Sequence, residues 1–145
     1  VFGENNAFIY YPIITISMGL NDFDFKVKIS SPRYPTENKE TLIFCISNIF
    51  PKCSWEIKED EVVGETRYLT RFKMILEDMR IRDTARDYLQ KRVIGNRCSF
   101  TLSKQASCNE KISFSEQEQP LGGIQVTITC DDIIMLIENL TETDR

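Results

Sequence analysis

A chain of 145 residues, 41% hydrophobic and 28% charged, has the length of one domain and the composition of an ordinary globular protein. It carries 18 Lys or Arg against 22 Asp or Glu, and it contains no histidine. The missing histidine excludes a Ser-His-Asp triad, an imidazole general base, a Cys₂His₂ zinc site and a haem held by the chain's own histidine.

Residues 1–21 read as an extension, either without fixed structure or forming an added edge strand, and residues 22–145 as a single α+β domain. The apolar run from Ala7 to Met18 is shorter than the roughly 20 residues a bilayer span needs. No Lys or Arg precedes it, so it does not read as a signal peptide. The initial Val raises the expectation of a misassigned start.

From Phe23 the pattern becomes regular. Phe23, Phe25, Val27 and Ile29 alternate with Asp24, Lys26 and Lys28, which predicts a half-buried strand. Ser31 to Pro35 is expected to turn the chain. Thr36 is expected to cap a helix whose buried stripe is Leu42, Cys45, Ile46 and Ile49, with Pro51 beyond its end. Strands are predicted near Ser54–Lys58 and Glu61–Thr66, with Glu59 and Asp60 at their turn. Two helices follow, one on Leu69, Phe72, Leu76 and Met79, the other on Ile81, Ala85, Tyr88 and Leu89, ending at Gly95.

Cys98, Phe100 and Leu102 alternate in a further strand, expected to pair antiparallel with Ile112 and Phe114. Pro120 to Gly123 reads as a turn, Ile124, Val126 and Ile128 as a strand, and Asp131 as the cap of a closing helix. The five cysteines form no C-x-x-C pair and read chiefly as small buried apolar residues, Cys45 among them. If one pair is oxidised, Cys98 with Cys108 is the pair expected.

Charge is segregated. Arg67 to Lys104 holds ten Lys or Arg against four Asp or Glu, and the remainder holds eight against eighteen. A local surplus of this kind suggests an anion-docking face, with RNA the first anion to test. The opposing reading is a solvated helix: Asp78 and Arg82, Asp87 and Lys91, and Asp83 and Arg86 stand at ion-pair spacing. Arg67, Arg71, Arg92, Arg97 and Lys104 fall outside those pairs and are the stronger phosphate-contact candidates. No Walker or G-x-G-x-x-G motif occurs. Glu59-Asp60-Glu61 or Asp131-Asp132 could bind a divalent ion, but the triplet reads as a hairpin turn and Asp131 as a helix cap.

The segments Ser31–Glu37, Asn48–Pro51, Arg80–Arg86, Ser103–Ala106 and Pro120–Gly122, in that order, resemble a small archaeal family of predicted RNA-binding proteins. The resemblance spans about Phe23 to Thr141. It implies an α+β fold like that of ribosomal protein L-five, a mostly antiparallel sheet with helices packed on one side. It also implies a cytoplasmic protein that is often a homodimer, with RNA, structured or double-stranded, as partner. The matching positions in this chain include Arg80, Arg86, Lys104 and Gln105.

The expectation is therefore a non-catalytic RNA-binding protein, with no cofactor, no metal and no membrane association. Its contacts are expected at Arg67, Arg71, Arg80, Arg82, Arg86, Lys91, Arg92, Arg97, Lys104 and Gln105. The alternative is a homodimeric assembly subunit whose basic face meets an acidic protein surface.

Overall fold

The computed structural model describes residues 19–115 and 122–142, so the expectations for Ala7–Met18 and for Pro120 and Leu121 lie outside the described residues. Seven strands make one sheet: β1 (Phe25–Pro32), β2 (Ser54–Ile57), β3 (Glu61–Thr66), β4 (Val93–Ile94), β5 (Arg97–Leu102), β6 (Phe114–Ser115) and β7 (Ile124–Cys130). Their order is β2-β3-β1-β7-β5-β4, with β6 also on β5, and every pairing is antiparallel. Strand alternation decides which face is apolar. Val27 lies opposite Ile128 and Thr66, and Ile29 opposite Val126 and Gly64, so these buried residues form rows on one face.

Among the described residues five α-helices cover that face: α1 (Lys39–Ser47), α2 (Thr70–Asp78), α3 (Arg82–Gln90), α4 (Lys104–Cys108) and α5 (Ile133–Leu140). The α+β class and the antiparallel sheet with helices on one side follow from this arrangement. A chain of aromatic contacts joins helix to sheet through the core: Phe50 to Phe72 at 5.8 Å, Phe72 to Phe100 at 5.9 Å and Phe100 to Phe114 at 5.9 Å between ring centroids. Leu20, ahead of the expected domain boundary, joins the same core.

Several local expectations shift. The first strand runs on through Pro32, whose backbone lies opposite Glu61, and the turn comes at Pro35 and Thr36. Asn38 rather than Thr36 caps α1, its side chain accepting from Thr41 N at 3.0 Å. Asp132, not Asp131, stands at the N-cap of α5 and makes no side-chain cap bond. The strand expected around Ile112 shrinks to Phe114–Ser115, because Ser103 accepts from Ala106 N at 3.2 Å and starts a helix where a hairpin was expected. The main neighbour of β5 is consequently β7.

The cysteine expectation is corrected. The disulfide joins Cys45 on α1 to Cys108 at the end of α4, 63 residues apart in sequence. Cys98 cannot take part because it points into the core from β5, its thiol donating to Leu89 O at 3.4 Å. Cys108 instead ends a helix that packs on α1.

Candidate functional site: the basic segment and the open sheet face

The basic segment folds into α2, α3, β4 and β5 and the start of α4, and tertiary contacts occupy most of its cations. Arg67 lies 3.5 Å from Asp24, and Arg71 lies 3.2 Å from Glu110. Arg82 donates to Glu142 O at 3.1 Å and stands 3.7 Å from Glu77. Arg86 grips the end of α5, donating to Thr141 O at 2.6 Å and to Thr141 Oγ1 at 3.2 Å, with Asp83 at 3.8 Å. Cations at a helix C-terminus oppose its partial negative charge, so Arg86 anchors α5 against α3. The Arg92 guanidinium lies 4.4 Å over the Tyr88 ring, and Tyr88 donates to Ser115 O at 2.9 Å. Of the intrahelical pairs expected from spacing, Asp83 with Arg86 forms, while Arg82 takes Glu77 in place of Asp78.

Lys104 requires the largest correction. Its ammonium is buried, donating to Pro32 O at 2.8 Å and to the two Glu37 carboxylate oxygens at 3.0 and 3.2 Å, with the Tyr34 ring 5.3 Å away. All its donor directions are used, so it holds the chain together and does not present a charge to solvent. Around α4, residues from four of the five segments that carry the family resemblance meet. Ser31–Glu37 supplies the Lys104 partners, Asn48 donates to Ser107 O at 2.9 Å, and Gly122, at φ 71°, leaves no room for a Cβ against Pro32. These residues are joints of the fold.

Four of the ten expected contact residues remain: the Arg80, Lys91, Arg97 and Gln105 side chains are exposed and have no partner among the described residues. Arg80 adopts φ 59° where α2 gives way to α3. The surface depression beside it, about 510 Å³, is lined by Glu77, Asp78 and Asp83 as well as Arg80 and Arg82, so its carboxylates outnumber its guanidiniums.

Arg97 belongs to a different surface. It stands on the face of the sheet that carries no helix among the described residues, where the register aligns it with Thr129 and then Lys26, and where Lys28 aligns with Thr127 and Ser99. Strands β1, β5 and β7 contain no Asp or Glu at all. Lys26 and Lys28 escaped the sequence reading because a basic window was sought along the chain, whereas these cations meet Arg97 only across strands. The available signal was their position on the polar side of an alternating strand.

The three free thiols are not suited to nucleophilic chemistry. Burial pushes Cys53 up to about 11, and pushes Cys98 to about 11 against the opposing charge of Arg92. Cys130 is also raised by burial. Among the described residues no helix is long and apolar enough to cross a membrane.

No family model matches the chain. A UPF0201 protein of Sulfurisphaera tokodaii is 38% identical over 128 residues, covering 80% of this chain and 86% of that one. The crystal structure of a UPF0201 protein from Methanococcus jannaschii superposes with a TM-score of 0.75 at 32% identity, covering 80% of this chain and 98% of the other. A longer Archaeoglobus fulgidus chain, named UPF0200/UPF0201 protein, is 34% identical over 109 residues, which make up 34% of its length. With this identity and coverage, the chain belongs to the archaeal UPF0201 family.

Proposed function

We propose that the protein binds RNA without catalysis, through phosphate contacts, as a cytoplasmic homodimer with the ribosomal L-five-like fold that its sequence resemblance implies. The observation that carries this reading is the set of exposed cations without partners among the described residues, Arg80, Lys91 and Arg97, left over from a segment whose other charges stabilise the fold. Arg and Lys of this kind neutralise phosphates and release counterions, so binding weakens steeply with salt. The described aromatic side chains lie in the core or on the helical side, which favours recognition of backbone shape in structured or double-stranded RNA over stacking on single-stranded bases.

The test is a salt titration of binding to an RNA duplex and to a DNA duplex of the same sequence. A log affinity for RNA that falls linearly with log salt is the expected result; absence of binding to either at about 50 mM salt overturns the reading.

A second reading, a protein-assembly subunit, draws support from the Archaeoglobus fulgidus relative, whose name joins two family names on one longer chain. It predicts association with an acidic protein surface, or with a second copy, and no RNA affinity.

A further inference from the structure

We infer that the helix-free face of the sheet over β1, β7 and β5 is the surface that receives the backbone of double-stranded RNA, with Lys26, Lys28 and Arg97 on phosphates. This deepens the RNA-binding reading and rests on it. The three cations are laid out by the sheet itself. Lys26 and Lys28, two residues apart on β1, project on one side at a separation of about 7 Å, and Arg97 stands two strands from Lys26, about 10 Å away. A rigid scaffold presents them, so little ordering cost falls on the backbone when a ligand docks.

Charge complementarity identifies the occupant. Apart from Pro32 at the end of β1, every outward position on these three strands is basic, a hydroxyl or an amide, in a protein with 22 acidic residues overall. Ser99 and Thr127 hydroxyls meet at 3.1 Å, and Thr101 donates to the Gln125 carbonyl oxygen at 3.0 Å, which leaves the Gln125 amide nitrogen to donate outward. Hydroxyls and an amide can meet phosphate oxygens and the 2′-hydroxyls displayed by an A-form groove. The outward positions of β1, β5 and β7 carry no large apolar or aromatic side chain, so the patch lacks the apolar anchors at the centre of a protein interface and the stacking platform of a single-strand binder.

Acidic groups mark its limits. Glu65 on β3 stands opposite Lys28 in the register and lies 3.9 Å from the Lys26 ammonium, Glu56 on β2 stands opposite Val63, and Asp24 and Asp131 stand at the strand ends. Both Lys26 and Glu65 are about half exposed, with side-chain accessibilities of 51% and 50%, so solvent screens their attraction and leaves Lys26 able to exchange partners.

The experiment compares wild type with Lys28→Gln/Arg97→Gln and with the helix-side control Lys39→Gln/Lys111→Gln, whose exposed lysines lie outside the proposed contacts. It measures affinity for an RNA duplex across a salt series, thermal unfolding as the folding control, and self-association by sedimentation. Loss of two phosphate contacts weakens the sheet-face variant roughly 60-fold at about 0.1 M salt and flattens its log–log salt slope by about 2, while the helix-side variant keeps wild-type affinity. If wild type binds RNA and the sheet-face variant binds equally well, the inference is overturned and the RNA reading stands, with its contacts elsewhere. If wild type binds no RNA, both fall. Self-association that the sheet-face variant alone abolishes, without RNA binding, would reassign the face to an acidic surface on a second copy.

Discussion

Glu37 and Lys104, 67 residues apart in sequence, form a salt bridge at 3.0 Å in which neither side chain is more than 15% exposed. It fastens the loop after β1 to the first turn of α4, and the Tyr34 backbone N–H donates to the same carboxylate at 3.0 Å.

Removing one partner leaves a charge stranded near the core. Lys104→Met is expected to destabilise the fold by about 3 to 5 kcal/mol in urea unfolding, and Lys104→Met/Glu37→Leu to recover part of that loss. A single variant within about 0.5 kcal/mol of wild type would show that the bridge does not hold this joint.

The Cys45–Cys108 bond closes a loop with a sequence separation of 63 residues. Constraining the unfolded chain by a loop of that size stabilises by about 4 kcal/mol in the chain-entropy treatment. Reduction with dithiothreitol, or Cys108→Ser, should lower the thermal midpoint markedly; equal midpoints with and without reductant would contradict this. Mass spectrometry under non-reducing conditions should find this pair linked and Cys98 free.

Burial raises the Cys53 and Cys98 thiols to about 11 from an ordinary 9.0. Because the folded pKa is the higher one, their contribution to stability is full below about pH 9 and is lost as pH rises through about 11. Stability measured between pH 8 and 11 should therefore decline, and the Cys98→Ala variant should decline less. At pH 8 native Cys98 should react slowly with a thiol reagent, and fast labelling would contradict its burial.

Trp55, the sole tryptophan, lies opposite Gly64, where a Cβ would come within 2.8 Å of the indole ring. Gly64→Ala must displace the ring from its seat on the edge of the core, at a cost of about 1 to 3 kcal/mol. Its emission should move to longer wavelength. Unchanged emission and stability would mean that the strand yields without disturbing Trp55.

Arg86→Ala removes the bonds to Thr141 at the C-terminus of α5. A loss of about 1.5 to 3 kcal/mol is expected from charge-assisted bonds to a buried carbonyl, along with faster amide exchange near α5. RNA affinity at temperatures where the variant stays folded should match wild type, which separates an anchoring role from phosphate contact.

Local periodicity was enough to place most elements. The alternation at Phe25, Val27 and Ile29 and the stripe at Leu42, Cys45, Ile46 and Ile49 mark a strand and a helix because each repeat is set within a few residues of chain. The segregation of charge was also legible. What each charge does was not, because the partners are remote: Lys104 finds Glu37 and Arg86 finds Thr141, 67 and 55 residues away. Periodicity carries no record of such pairings. Only the order of strands brings Arg97 across β7 to Lys26, and only the packing of α4 on α1 joins Cys45 to Cys108. The sequence by itself determined the elements and their apolar faces, through backbone repeat and hydrophobic burial; the tertiary structure decided which cations were neutralised and which stayed exposed, because that depends on contacts between segments far apart along the chain.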